Sequence, residues 1–548
     1  MHHTMSVLYI LSLSIAIGLR LHLALTRFFD PDEFAHLHWA WLIAKGQLPY
    51  KDFFYYLTPG FSWILSLFHT IIGDSTNVLI ASRLFLFMVY GLNAAIVYRL
   101  SKGSLMAVLI FLTFPLTLDK TIDVRPDMVM LLLYFASMMV KNSFLSGVLF
   151  GASVLMLPKI IFALPALVFL RSHPAKQGET LKKFLAGVVF IGILFLGYLR
   201  VNNLIGQFLT SITKDSFAVT GGKISFSPLL LLTPYPLIYV TKGGVSLPWA
   251  VNTAIWIAGT TGLWILLKKR ESMGIFWALF IAGNILFVFL FPVPYVQYFL
   301  PLSVAASVLA GYALGMKNYE LRIKNKGTTL SVFFLHSLFL ILTSSSFFLQ
   351  YRERVAPGAE NAEQLQVIRD VLAVTKPNET IYDMVGSYVF RPDGYFICCH
   401  PYGEFANKLA HPPPALRESL TRRQTKFLVM DRVGFVFWQS PEPDKTFLLT
   451  HYLPTKYYKI YSLGQTFRCV AGACVQYNLN NQPASGRSTN TFTIVTAETY
   501  AFAIEPESES VTIDGRTMNN NQTAFLTAGP HRFSATPRVT GYRLLLSR

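Results

Sequence analysis

The sequence predicts a polytopic α-helical membrane protein that carries a hydrophilic C-terminal region. Three observations lead there. The 548 residues are 53% hydrophobic and only 14% charged, with a mean hydropathy of +0.43, against roughly a quarter charged in soluble chains. Long apolar runs separated by short polar loops fill residues 5–349, whereas residues 350–548 have ordinary soluble composition. Basic residues concentrate in alternate loops, as the positive-inside rule requires.

A helical span needs roughly 17–25 mainly apolar residues. Segments 5–27, 78–100, 184–201, 249–267, 273–291, 295–316 and 329–349 meet that length. Four shorter apolar blocks, near 105–118, 127–140, 144–157 and 160–170, fit four more spans joined by tight turns, for about eleven in all. No small-residue cleavage site follows the first apolar segment, Val7 to Leu25, so it reads as a retained span that doubles as a signal. With the N-terminus cytoplasmic, the cytoplasmic loops hold fourteen basic residues, including Lys176, Lys268, Lys269 and Arg270. The opposite loops hold eight, including Lys120, Lys214, Lys223 and Lys242, over far more sequence. That asymmetry sets the orientation, and an odd number of spans places the C-terminal region outside the plasma (inner) membrane. The net charge of +18 is thereby assigned to lipid headgroups. Nucleic acid is rejected as a partner, since no basic stripe interleaved with aromatics occurs in the soluble part.

The expected organisation is a transmembrane domain over 1–349 with a long exterior loop at 28–77, then two extracytoplasmic modules. Residues 350–478 read as α/β, from a helical stretch at Asn361–Val374 and short strands at Thr380–Asp383 and Lys426–Asp431. Residues 490–548 alternate with turn residues, notably Asp514-Gly515, and read as a small β-sandwich. The Asn/Gly/Ser/Pro-rich stretch 478–490 is the linker. Cys398, Cys399, Cys469 and Cys474 all lie in this exterior region, where one or two disulfides are expected. Cys469 and Cys474 are spaced to close a hairpin, but spacing does not deduce the pairing. Zinc is the weaker reading, because no histidine spacing supports it.

Chemistry is expected at acidic residues just outside the bilayer, above all Asp30-Pro31-Asp32-Glu33. Proline and carboxylates both suit a first helical turn, so one reading makes Asp30 or Asp32 merely a cap. Asp32 and His36 share a helix face, on a helix with Trp39 and Trp41 that suits the interface. The loop continues Gly46-Gln-Leu-Pro49-Tyr50-Lys51-Asp52, then Pro59-Gly60.

This pattern resembles the C-type (GT-C) glycosyltransferases, membrane enzymes that take a sugar from a polyprenyl-phosphate carrier. The similarity is to the group holding protein O-mannosyltransferases and the lipid A aminoarabinose transferase. Further matching elements are Asp123-Val-Arg125-Pro-Asp127, Leu157-Pro158-Lys159, and Pro294-Tyr295-Val-Gln297-Tyr298-Phe-Leu-Pro301. Together they cover about residues 1–316. Gln297 departs from the family, many members of which have a basic residue there.

Glycosyl transfer to a hydroxyl needs a base for the acceptor proton and cations for the departing phosphate. Asp32 is the first choice of base, with Glu33 second or as its partner. Lys159 and Arg125 are assigned to the donor phosphate. Against this stand snorkelling for Lys159 and an ion pair with Asp123 or Asp127 for Arg125. Asp127, Asp52, Tyr295, Gln297 and Tyr298 are candidates for the acceptor or sugar pocket, although tyrosines at that depth also form interfacial belts. No ligand spacing demands a metal, and the resemblance favours none; a divalent cation remains compatible with the exterior carboxylates. The expected function is inverting transfer of a sugar from a polyprenyl-phosphate donor to a lipid, protein or glycan acceptor at the extracytoplasmic face. The main alternative is a transporter or flippase, but no internal repeat is visible and the acids are not mid-span. A non-catalytic glycan receptor would leave the acidic loop unexplained. A head-group phosphotransferase would need a metal-binding domain that 350–548 does not resemble.

Overall fold

Hydrocarbon offers a peptide group no partner but the chain itself, so the apolar runs must be helical. The computed structural model describes residues 2–115, 118–172, 177–216, 247–291, 295–324, 326–383, 385–399, 409, 412–430, 442–484 and 490–547. Lys176, Lys223, Lys242, Pro294, Asp431 and part of the 478–490 linker lie outside these residues. The chain divides into two compact units. One comprises Met1–Phe29, Tyr55–Gly73 and Asn77–Asn361; the other comprises Asp30–Phe54, Asp74–Thr76 and Ala362–Arg548.

In the first unit every long apolar run is a helix. These are α1 (His2–Thr26), α4 (Asn77–Leu100), α9 (Gln177–Val201), α11 (Leu247–Lys268), α12 (Ser272–Leu290), α13 (Leu300–Lys324) and α14 (Lys326–Arg354). Among the described residues, six helical segments are long and apolar enough to cross a bilayer, which makes this a multi-pass membrane protein. The shorter blocks give α5 (Leu105–Leu112), α6 (Asp127–Met139), α7 (Ser143–Met156), a 3₁₀ turn at Pro158–Ala163 and α8 (Leu164–Arg171). Helix α5 is shorter than its apolar block: Ser104 caps its start, Thr113 its end, and Pro115 follows. An apolar helix, α3 (Gly60–Ile72), occupies part of the segment expected as a loop.

With no hydrophobic drive between helices in lipid, close backbone approach supplies much of the packing. A Cβ added at Gly147 would collide with the Phe184 carbonyl, and one at Gly187 with the Phe144 carbonyl, across the α7–α9 seam. Gly262 meets the Leu309 carbonyl in the same way where α11 crosses α13.

The loop between α5 and α6 is held by cations from α1, from the exit of α1 and from the end of α14. Arg20 of α1 donates through Nε to the Leu112 carbonyl (2.6 Å) and through a terminal nitrogen to Thr121 Oγ1 (2.5 Å). Arg27, just past α1, pairs with Asp123. Arg354, ending α14, grips Asp119 through two nitrogens (3.0 and 2.9 Å). Arg83 of α4 donates to the carbonyls of Arg27 (2.6 Å) and Phe28 (2.9 Å), fixing the exit of α1.

The second unit contains α2 (Pro31–Ala44), α15 (Ala362–Val374), α16 (Leu416–Arg422), α17 (Glu442–His451) and most of the β-structure. Its short strands are β1 (Ile381–Tyr382), β2 (Phe427–Val429), β3 (Tyr452–Pro454) and β5 (Ala473–Tyr477), gathered on the long β4 (Ile460–Val470). The C-terminal strands are β6 (Thr491–Ile494), β7 (Glu498–Glu505), β8 (Ser510–Ile513), β9 (Arg516–Asn519), β10 (Thr523–Leu526), β11 (Gly529–Ala535) and β12 (Gly541–Leu546). The main sheet runs β1-β2-β4-β12-β7-β10, with β3 and β5 also on β4, and a second sheet runs β6-β11-β8-β9. Among the described strand pairs, β1–β2 alone is parallel. The stretches 350–478 and 490–548 thus share a sheet, because β12 pairs with both β4 and β7. Phe467 of β4 stacks on Tyr542 of β12 (4.5 Å between centroids) and packs against Phe492 and Phe533, so rings of the later strands cover it. The turn Asp514-Gly515 has positive φ at both positions, as a two-residue hairpin demands.

Two outcomes test this packing. Gly147→Ala is expected to lower the thermal stability of detergent-purified protein by about 1–3 kcal/mol. Gly192→Ala, where an added Cβ meets nothing within 4 Å, should leave it unchanged. Burial opposes ionisation of Asp119, but Arg27, Arg354 and Lys120 hold its carboxyl down at about 2. A depressed carboxyl stabilises the fold above its unfolded value and loses that contribution as pH falls toward about 2. In Arg354→Gln the acid-unfolding midpoint should move to higher pH, as read by tryptophan fluorescence.

Candidate active site

In the first unit the site grows from a helix N-terminus. Pro126 precedes α6, and Asp127 is its first residue, where the peptide dipoles favour a carboxylate. Asp127 is 2% exposed and takes a charged hydrogen bond from Lys159, itself 7% exposed. The same ammonium donates to the Gln297 carbonyl (3.0 Å) and lies 5.4 Å from the Tyr298 ring centroid. Lys159 is therefore turned inward, not snorkelling along the surface. Tyr295 and Tyr298 stand edge to face at 5.7 Å, both partly buried.

Next to this group sits the α5–α6 loop. Asp123 is fully covered and accepts from Arg27 and from Lys120 (3.1 Å), with the Arg125 Nε 3.9 Å away. Arg125 thus has the ion-pair partner weighed for it in the sequence. Five cations (Arg27, Lys120, Arg125, Lys159 and Arg354) pair here with four carboxylates (Asp119, Asp123, Asp127 and the exposed Glu353). Positive charge is concentrated at this loop, which suits an anionic group. Sequence reasoning missed Arg27 and Arg354. Their signal is a basic residue at each apolar helix end, which is also the pattern of any interfacial anchor.

In the second unit Asp30 is the cap that one reading of the sequence expected. It accepts the Asp32 backbone N–H (3.1 Å), and its own N–H donates to Glu33 Oε1 (2.9 Å). Such a box contributes about 1 kcal/mol. Glu33 is completely buried in this role, whereas Asp32, one residue earlier, stays partly exposed. His36 is buried against Trp39 at 5.5 Å. Asp52 is exposed and closes a tight turn: Leu48 N–H donates to its carboxylate (2.7 Å) and its own N–H to the Leu48 carbonyl (2.9 Å). The left-handed Tyr50 (φ 72°) lies inside that turn.

A second buried group in this unit has no counterpart in the sequence reading. His38 of α2 donates through Nδ1 to the Val389 carbonyl (2.6 Å), and its Nε2 lies 2.8 Å from Asp393 Oδ1. Tyr388 donates to the same oxygen. Burial alone would discharge the ring, but Asp393 outweighs it and holds the His38 pKa above its ordinary value. Cys398 and Cys399 are bridged to each other, and Cys469 and Cys474 close the β4–β5 hairpin.

No protein-family profile matches the chain, and no curated protein matches it. Solved structures do. The apo structure of ArnT from Cupriavidus metallidurans aligns over 72% of this chain and 86% of its own, at a TM-score of 0.50 and 12% identity. The structure of the same protein bound to undecaprenyl phosphate aligns over 70% and 85%, at 0.49 and 13%. At such identity the likeness speaks for the fold alone: a polytopic helical part followed by a β-rich C-terminal region.

Proposed function

We propose that the protein is an inverting glycosyltransferase that moves a sugar from a polyprenyl-phosphate donor to an acceptor hydroxyl at the extracytoplasmic face of the plasma membrane. The observation that carries this reading is the cluster of cations, Arg27, Lys120, Arg125 and Lys159, gathered around Asp123 and Asp127. Charges kept among apolar helices are costly and mark ligand sites.

In this reading Lys159 and Arg125 take the donor phosphate. Each supplies positive charge where the leaving group gains it as the anomeric C–O bond breaks. Asp127 holds Lys159 in place through their pair, and the Gln297 carbonyl fixes the same ammonium from another direction. Tyr295 and Tyr298 offer aromatic faces for a sugar ring. Asp32 accepts the acceptor's hydroxyl proton as that oxygen attacks the anomeric carbon, inverting it in one displacement. Glu33 serves Asp32 by closing the cap that orients the first turn of α2. The phosphate leaves already ionised, so the step needs neither an acid nor a metal. Lipid, protein and glycan hydroxyls all satisfy this chemistry as acceptors.

Purified protein offered a panel of polyprenyl-phosphate sugars should turn over at least one of them. Asp32→Asn should lower kcat by about 10²–10⁴-fold; unchanged turnover would remove Asp32 as base. No turnover with any donor, together with movement of labelled lipid between leaflets of proteoliposomes, would favour transport instead.

Lys159→Gln leaves Asp127 buried without its cation, at a cost of about 3–5 kcal/mol. The double change Lys159→Gln with Asp127→Asn should recover most of that stability. It should still lose competition by free polyprenyl phosphate against the donor. Full competition in the refolded double variant would separate Lys159 from phosphate binding.

A further inference from the structure

The group around His38 has a second use, independent of sugar transfer. His38, Asp393, Cys398 and Cys399 come from two segments more than 350 residues apart in sequence, and all four are buried, none more than 5% exposed. One donor atom from each, nitrogen, oxygen and two sulfurs, lies within 4.8 Å of every other. Tetrahedral zinc, bound to sulfur at about 2.3 Å and nitrogen at about 2.0 Å, sets its ligands about 3.3–3.8 Å apart, inside that limit. The surroundings match what a metal-binding histidine requires. Its Nδ1–H is spent on the Val389 carbonyl, which directs Nε2 into the cluster, and Asp393 is braced by the Tyr388 hydroxyl. Gly386 makes room: a Cβ there would sit 2.7 Å from Cys399 Sγ and 3.2 Å from His38 Cβ.

We propose that His38 Nε2, Asp393 and the thiolates of Cys398 and Cys399 form a four-ligand site for a thiophilic divalent cation such as zinc, and that the Cys398–Cys399 disulfide closes it. In the disulfide state the imidazolium–carboxylate pair of His38 and Asp393 balances the cluster's charge. Opening takes two electrons and two protons from a dithiol reductant, which becomes a disulfide as the Cys398–Cys399 bond breaks to two thiols. The entering cation then displaces three protons, two from the thiols and one from His38. Two buried thiolates and a carboxylate need positive charge close by, and the bound cation supplies it.

The test uses the full-length protein in detergent. After reduction by a water-soluble phosphine, incubation with zinc and gel filtration, bound zinc is measured by elemental analysis. Stoichiometric zinc is expected for the reduced wild type and for Cys469→Ser/Cys474→Ser, with loss in the oxidised protein and in Cys398→Ser/Cys399→Ser. Cobalt in place of zinc should give a thiolate-to-metal absorption band that vanishes in the same variant. Should Cys398→Ser/Cys399→Ser fail to fold, alkylation of the reduced wild type decides: zinc must shield Cys398 and Cys399 and not Cys469 and Cys474. Equal labelling with and without zinc, or binding that follows Cys469 and Cys474, overturns the proposal.

Discussion

An ion set among apolar helices has to bring its counter-charge with it, because neither lipid nor close-packed side chains will solvate it. The loop between α5 and α6 is arranged around that requirement. Its three carboxylates, counted through Asp127, draw in cations from the ends of α1 and α14 and from the turn before α8. The helix seams add shape: glycines at 147, 187 and 262 let backbones touch where any side chain would hold them apart.

Two buried carboxylate–cation groups therefore exist for different reasons. Around Asp119 the partners are bidentate and complete, Arg354 meeting both carboxylate oxygens, which is a structural clamp. Around Asp123 and Asp127 four cations converge, Arg27, Lys120, Arg125 and Lys159, which suits an anion. The same distinction separates the first-turn acids of α2. Glu33 is buried and engaged with the Asp30 backbone, whereas Asp32 keeps access to solvent. Function is proposed where the local structure has left a charge with work still to do.

Much of this was legible from residue order. Apolar runs of sufficient length located the helices, since backbone satisfaction in lipid depends on nothing beyond the segment itself. Asp30 as a cap and Asp514-Gly515 as a turn follow from contacts within a few residues. The strands β6, β7, β8, β10 and β11 showed in their alternation. The long β4 and β12 did not, because consecutive residues are buried on both faces, Ser462–Gln465 in β4 and Gly541–Tyr542 in β12, which breaks the polar–apolar rhythm of a half-buried strand.

What residue order determined is thus what short-range physics decides: where helices run, which residues cap them, and which chemistry-bearing residues the chain possesses. Only the tertiary structure decided which of them meet. Lys159 finds the Gln297 carbonyl 138 residues away, Arg354 finds Asp119 across 235, and His38 finds Asp393 across 355. Electrostatic pairing and metal-like clustering depend on distance in space, and a sequence records only distance along the chain.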